Sequence, residues 1–507
     1  VIVSREQLID ELRKKIHLAR ARVYQVGQPT PLQSMVVEGL SSPVWVKRED
    51  LGPIKAYKWR GAFNAMASLS QEQLAKGIVA ASAGNHAQGI ALAARRLSVK
   101  ARIYMPKPTP RVKRKAVIEH GGDQVKIELV GDSFSEAQDA ALQDAARSGA
   151  TFIAPYDSME VMAGQGTLAD EIFTSGEGPF DRVYVAIGGG GMAAAVAVLL
   201  KSSWPEVQII GVEGEDQASM LAAFDQGQPT ALSYVDVFCD GTAVTKVGDL
   251  TYALCRELLD DIVTVSNKEV SSAIKVHWDG LRVIPEPSGA MSLAGYLKHV
   301  RENKVSDREK VLTILCGANM DFAKLTDISR LAGISKPEHR SWRFSIPDYQ
   351  GSLVELLSDL PDEINITDLQ YGRISGEYQE PVLTLDLPEG GEKEFSQWLE
   401  AQQTTWVDVT GDSEIHYRVI PYTPSLFVAA LFVEVEFPER AGALLDFLRE
   451  VSPIASLCYF NYSYSGERVG RALLGLDFLS QENLEKHLGP ILESGGTTLR
   501  SIRRVNL

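Results

Sequence analysis

The sequence predicts an α/β protein, parallel sheets covered by helices over the first two thirds of the chain, followed by a smaller α+β tail. Three observations predict it. Short apolar runs of strand length alternate with longer helical stretches up to about residue 325. Loops rich in glycine and serine lie where strands run into helices, the place where open parallel sheets bind ligands. Beyond about residue 335 the texture changes to strands with alternating aromatics, and this stretch repeats itself.

In order, residues 6–22 read as an amphipathic helix and 44–47 as a strand. Residues 77–81 form a buried strand that runs into Ser82-Ala83-Gly84-Asn85-His86 and then a helix to about 97. Strand 101–105 and helix 110–119 follow, and 124–130 with 133–148 repeats the pattern. It resumes with 164–174, 183–187, 192–200 and 207–211, and reaches a buried strand at 311–315 that ends at Cys316. In the tail, Ile346-Pro347-Asp348-Tyr349-Gln350-Gly351-Ser352-Leu353 aligns with Phe437-Pro438-Glu439-Arg440-Ala441-Gly442-Ala443-Leu444, the two prolines 91 positions apart. That offset also superposes Leu357 on Leu448, Ile366 on Leu457, Leu369 on Phe460 and Tyr371 on Tyr462. Each copy reads strand, Pro-x-x-x-Gly loop, helix, strand.

With 507 residues the chain has room for two to four domains. A formal charge of −15 argues against binding to nucleic acid or an anionic membrane. The first residues carry no long apolar run, so no signal peptide is expected. The longest apolar run, 192–200, is far too short to span a bilayer. The four cysteines, Cys239, Cys255, Cys316 and Cys458, include no CxxC pair. A reducing cytosol is expected, with neither disulfides nor a metal site.

Two lysines, Lys55 and Lys58, stand among apolar residues in Lys55-Ala56-Tyr57-Lys58-Trp59-Arg60-Gly61-Ala62. An amine in an apolar pocket sheds its proton more readily and can hold a carbonyl cofactor as a Schiff base. Gly188, Gly189, Gly190 and Gly191 join a strand to the helix that opens at Met192. A loop of glycines exposes backbone N–H groups, and the helix N-terminus adds partial positive charge, which makes a phosphate site. The spacing is neither GxGxxG nor GxxxxGK[ST], so one terminal phosphate on a compact cofactor fits better than a dinucleotide. The N–H groups of Ser82-Ala83-Gly84-Asn85-His86 and the Ser82 hydroxyl suit a substrate carboxylate, and Asn85 suits a phenolate oxygen; helix capping is the plain alternative. Cys316 is either a weak hydrogen-bond partner for a ring nitrogen or a core cysteine. Pro285 and Pro287 rigidify the backbone at Glu286, which otherwise reads as a turn before a helix.

A lysine, a phosphate loop, an asparagine and a strand-end thiol together describe a pyridoxal phosphate site. At these residues the chain resembles the threonine dehydratases among the fold-type II, tryptophan-synthase-β-like pyridoxal enzymes. The motifs are Thr30-Pro31-Leu32, Lys47-Arg48-Glu49-Asp50, Tyr57 to Ala62, Ser82 to Gly89, Gly164-Gln165-Gly166-Thr167, the four glycines and Glu286-Pro287-Ser288-Gly289-Ala290. The duplicated tail resembles the paired ACT-like regulatory subdomains of the biosynthetic form. The resemblance implies a catalytic domain over 1–335, with a smaller subdomain within about 57–155, and regulatory subdomains over 336–420 and 421–507. The family lysine sits in Ser-Phe-Lys-x-Arg-Gly-Ala, which makes Lys58 the Schiff-base lysine and leaves Ala56 where the family has serine. The resemblance also implies that Asn85 meets the cofactor's phenolate oxygen, Gly188 to Gly191 with Met192 bind its phosphate, and Cys316 faces its ring nitrogen. Substrate falls to Ser82, Ala83, Gly84, Asn85, His86 and Gln165. The implied reaction turns L-threonine into 2-oxobutanoate and ammonia, the first step of isoleucine biosynthesis, in a cytoplasmic homotetramer. Isoleucine as inhibitor and valine as antagonist would act around Gly351, Ser352, Leu353, Gly442, Ala443 and Leu444. The rivals are a serine dehydratase or racemase, and an amino-acid sensor with a decayed site.

Overall fold

The computed structural model describes residues 4–334 without a break, and then 339–347, 356–357, 360–361, 364–370, 378–387, 392–402, 404–410, 427–438, 454–462, 469–493 and 501–505. The chain divides into two compact units, Val1–Ser329 and Arg330–Leu507.

The first unit opens with α1 (Arg5–Val23), started by a capping box in which Ser4 and Gln7 exchange side-chain and backbone hydrogen bonds. Its strands are β1 (Leu32–Met35), β2 (Val44–Arg48), β3 (Ile78–Ala81), β4 (Ala101–Met105), β5 (Val125–Leu129), β6 (Thr151–Phe152), β7 (Arg182–Ala186), β8 (Gln208–Gly214), β9 (Asp261–Val265) and β10 (Val311–Leu315). Its further helices are α2 (Trp59–Ala67), α3 (Gln71–Ala75), α4 (Asn85–Leu97), α5 (Arg111–Gly121), α6 (Phe134–Ser148), α7 (Met159–Thr174), α8 (Gly191–Ser203), α9 (Ser219–Gln226), α10 (Asp249–Leu258), α11 (Asn267–Leu281) and α12 (Pro287–Arg301), with α13 (Leu325–Ile334) at the boundary.

Two sheets result. The larger runs β1-β2-β10-β7-β8-β9 and is parallel except for β1. The smaller runs β5-β4-β3-β6 and is parallel throughout. β3 and β10 are buried at every residue, as strands covered on both faces must be. The apolar run of α8 is buried all round because the helix packs between α7 and α10. In the larger sheet β7, β8 and β9 step one way and β10 returns on the other side of β7. In the smaller, β3, β4 and β5 step one way and β6 returns on the other side of β3. Each sheet therefore has a switch point where neighbouring loops part and leave a crevice. The sequence reading passes over β1, β6 and β9. β6 has two residues, too few to show a period, and β1 is a mostly exposed edge strand.

In the tail, β11 (His339–Pro347), β12 (Asn365–Gln370), β13 (Tyr378–Gln379), β14 (Val382–Asp386), α14 (Glu392–Ala401) and β15 (Thr405–Asp408) come first. β16 (Ala430–Pro438), β17 (Ser456–Tyr462), β18 (Val469–Asp477), α15 (Gln481–Glu493) and β19 (Ser501–Val505) follow. The first set pairs β12-β14-β11 with β15 on the outer side of β11; the second pairs β17-β18-β16-β19, the same path. The 91-residue offset of the sequence is also the backbone register. His339 faces Asp386 as Ala430 faces Asp477, and a bulge between Ile366 and Asp368 recurs between Leu457 and Tyr459. The cores differ in filling: Trp342 and Phe344 pack in the first, Val433 and Val435 at the same positions in the second.

Candidate active site

The switch points of both sheets open on one pocket of about 430 Å³, mouth included. The larger sheet supplies Gly188, Gly189, Gly190, Gly191 and Met192 after β7, and Cys316 after β10. The smaller supplies Asn85 after β3 and Tyr156 after β6. Lys58, Glu286, Ser288, Gly241 and Thr242 complete the lining with Tyr57 and Ala186. The structure thus brings together Lys58, Asn85, Gly188 to Gly191, Met192 and Cys316, which the sequence offers from distant segments.

Lys58 is half-buried at the start of α2, its Nζ 5.2 Å from the Tyr57 ring centroid. The backbone before it is tied to the end of β10. Tyr57 N–H donates to the Cys316 carbonyl at 3.1 Å, Ala318 N–H donates to the Lys55 carbonyl at 2.9 Å, and Ala56 bridges Gly317. Lys55 is exposed and left-handed (φ 58°), and it is not part of the lining.

Behind Lys58 lies a closed set of charges. Arg60 Nε donates to Glu49 Oε2 at 2.8 Å and Arg60 Nη1 to Glu171 Oε1 at 2.6 Å; Lys47 Nζ donates to Glu171 Oε2 at 2.5 Å. Thr30 and Thr167 add hydroxyls. Lys47, Glu49 and Arg60 are 0% exposed. Burial alone would raise the Glu49 carboxyl, but Arg60 and Lys47 outweigh it and hold it below the usual carboxylate range. This lattice fixes α2 to β2 and α7, and so fixes where Lys58 stands. Gln165 belongs to the same support: its Oε1 accepts Gly61 N–H at 3.1 Å, away from the lining.

Asn85 Nδ2 donates to Glu286 Oε1 at 2.7 Å, while Asn85 Oδ1 accepts from Asn319 Nδ2 at 2.9 Å. The amide orientation is thereby set, with one donor hydrogen still to place. Burial, then the neighbouring Asp240, raises Glu286 to about 7. The Cys316 thiol donates to the Ser288 carbonyl at 3.4 Å, and burial with Glu286 nearby pushes it up, so it stays protonated. Ser82, Ala83, Gly84 and His86 lie at the start of α4 outside the lining. The Ser82 hydroxyl accepts Gly84 N–H at 3.2 Å, and His86 Nε2 lies 3.1 Å from the Ile153 carbonyl. Burial and Lys58 lower His86 to about 4, which keeps the ring neutral.

The glycine loop has no room for side chains. A Cβ at Gly189 would stand 2.1 Å from the Tyr156 ring, and one at Gly188 3.0 Å from Thr242 Cα. Among the described residues no protein acceptor takes the N–H of Gly188, Gly189 or Gly190. The loop can therefore receive an anion at the N-terminus of α8.

Tyr156, Thr242, Gly241 and Glu286 are pocket residues that composition does not single out; only the proline frame marks Glu286. Gly351, Ser352, Leu353, Gly442, Ala443 and Leu444 lie outside the described residues. Among the described residues no group of three His, Cys, Asp or Glu could hold a metal, and no helix is long and apolar enough to cross a membrane.

Residues 23–317 match the family model "pyridoxal-phosphate dependent enzyme", and 429–501 match "C-terminal regulatory domain of threonine dehydratase". The chain is 37% identical over 484 residues to the biosynthetic L-threonine dehydratase IlvA of Haemophilus influenzae, covering 92% of this chain and 91% of that one. It is 37% identical over 470 residues to the Escherichia coli IlvA, covering 91% and 90%. Among solved structures, the processed form of threonine deaminase isoform 2 from Solanum lycopersicum matches with a TM-score of 0.60 and 42% identity, covering 64% of this chain and 94% of that one. Maize serine racemase matches at 0.58 and 29%, covering 63% and 96%.

Proposed function

The chain belongs to the pyridoxal-phosphate-dependent enzymes, with the biosynthetic threonine dehydratases as its relatives, and on that premise we propose that it deaminates L-threonine to 2-oxobutanoate and ammonia under control of its tail. The observation that carries the reading is the meeting of Lys58, Asn85, the glycine loop and Cys316 in one pocket at two switch points. These residues fit the cofactor: an amine for its aldehyde, a side-chain-free N–H loop for its phosphate, an amide for its phenolate oxygen and a neutral thiol for its ring nitrogen. When bound, pyridoxal phosphate withdraws electrons from the substrate's Cα and acidifies its C–H.

Lys58 Nζ would hold the cofactor by its aldehyde, and as a free amine it takes the proton from the substrate Cα. The β-hydroxyl leaves as water with one proton, which balances the proton that Lys58 takes from Cα, and the released enamine takes water back to give the oxo acid and ammonia. The protonated Cys316 thiol places no charge at the ring nitrogen, which favours prompt elimination over side reactions. Asn85 is oriented from both sides by Glu286 and Asn319, so its remaining N–H points one way only. The start of α4, with Ser82 to His86, receives the substrate carboxylate as it approaches from the pocket.

The finer reading rests on the kind of relative and tail found. We infer isoleucine as inhibitor and valine as antagonist at the tail, a homotetramer in the cytoplasm, and a place at the first step of isoleucine biosynthesis. The test is formation of 2-oxo acid from L-threonine with and without isoleucine. Turnover of L-serine alone would instead favour a serine dehydratase or racemase, and inhibition that survives removal of the residues beyond 335 would remove the tail from control.

A further inference from the structure

The carbonyls of the glycine loop are held as well as its N–H groups are exposed. Thr251 Oγ1 accepts Gly248 N–H at 3.1 Å, which leaves the hydroxyl its one proton. That proton has a close acceptor in the Gly189 carbonyl at 2.7 Å, against 3.2 Å to the Gly248 carbonyl. The next carbonyl, that of Gly190, is held by α8 itself, where it accepts Ala194 N–H at 2.9 Å. In a trans peptide the carbonyl of one residue and the N–H of the next point opposite ways. A Gly189 carbonyl turned toward α10 therefore turns the Gly190 N–H away from it, on the side where the glycines line the pocket. Gly190 has the left-handed backbone (φ 90°) that this peptide orientation needs. The helix is itself anchored: the Asp157 carboxylate accepts the N–H groups of Asp249, Leu250 and Thr251 at 3.1, 3.0 and 3.2 Å. The neighbouring Tyr156 ring closes the loop from the other side at Gly189.

We propose that Thr251 is a positioning residue for cofactor phosphate, holding the Gly189 carbonyl back so that only N–H groups meet the anion. This rests on the reading of Gly188 to Gly191 as the phosphate site. A loop free to turn a carbonyl inward would set a partial negative charge against the phosphate.

The full-length chain is loaded with pyridoxal phosphate or with pyridoxal, which lacks the phosphate, and each Kd is read from absorbance on dilution. Thr251→Val should raise the Kd for pyridoxal phosphate about tenfold. It should leave the Kd for pyridoxal where it is, and Thr251→Ser should restore the wild-type value. A Thr251→Val chain that keeps the wild-type ratio of the two constants overturns the proposal and leaves the phosphate site standing. A wild-type chain that binds both forms equally removes the phosphate site, and the proposal with it. If circular dichroism shows Thr251→Val unfolded, the Thr251→Ala ratio decides by the same criterion.

Discussion

Two sets of buried charge lie within a few residues of each other in sequence and behave as opposites. Around Arg60, two cations and two carboxylates close on one another, with Thr30 and Thr167 taking up remaining valences. Around Lys58, an amine, a carboxyl and a thiol face a common cavity instead of each other. The first set holds Glu49 ionised; the second lets burial raise Glu286 to about 7 and push the Cys316 thiol up. Lysine in a polar-apolar run is common to both. What differs is whether the partner is supplied by the protein or left to a ligand, and only the second arrangement can do chemistry.

The comparison breaks first at the lysines. Lys58→Ala should lower turnover of L-threonine by more than about a thousandfold while the melting temperature stays near wild type. Lys47→Ala should do the reverse, costing about 3–5 kcal/mol in a urea titration by leaving the buried Glu49 and Glu171 with Arg60 as their one remaining cation. Equal losses of stability in the two variants would show that Lys58 is structural too. A milder break is Gly189→Ala, whose Cβ would press on the Tyr156 ring. Cofactor affinity should fall roughly ten- to a hundredfold by the cost of overpacking, read from absorbance. Gly227→Ala, at a helix end with nothing near its Cβ, should leave that affinity alone.

pH sharpens the contrast. The Glu286 carboxyl ionises at about 7 in the folded chain against 4.5 as its ordinary value. Its contribution to stability is present below the lower value and is lost as pH rises through about 7. Glu286→Gln should therefore flatten the fall of melting temperature between pH 5 and 8, by a few degrees; an unchanged slope would mean that another group is responsible. Glu49, held low, works in the other direction: its contribution is present above the ordinary value and is lost only as acid protonates it. The smallest effect belongs to Ala56→Ser. Ala56 is 0% exposed and bridges Gly317, so the added hydroxyl should cost about 1 kcal/mol if it finds no partner, with turnover little altered.

Local chemistry made several features legible in the chain itself. Glycines between a strand and an apolar helix announce an anion loop, because no other residue leaves the backbone N–H groups so open. Alternating runs announce a parallel sheet, and the 91-residue offset announces a duplicated tail whose strand register and bulge then agree. Gln165 and His86 show the opposite case. Their side chains are used inside the fold, Gln165 on Gly61 N–H and His86 on the Ile153 carbonyl, which the motifs do not show. Tyr156 and Thr242 carry no local signal, since a tyrosine or threonine in a loop looks like any other.

By itself the sequence determined the alternation of strands and helices, the lysine among apolar residues, the glycine loop and the repeat, since each is a matter of neighbours along the chain. Tertiary structure alone decided that the switch points of two sheets open on one pocket. It alone decided that Asn85 would be oriented by Glu286, 201 positions away, and that Lys47 rather than Lys58 would be consumed by carboxylates. The physical reason is that a buried charge is defined by what the rest of the fold brings to it, and that partner is not written beside it.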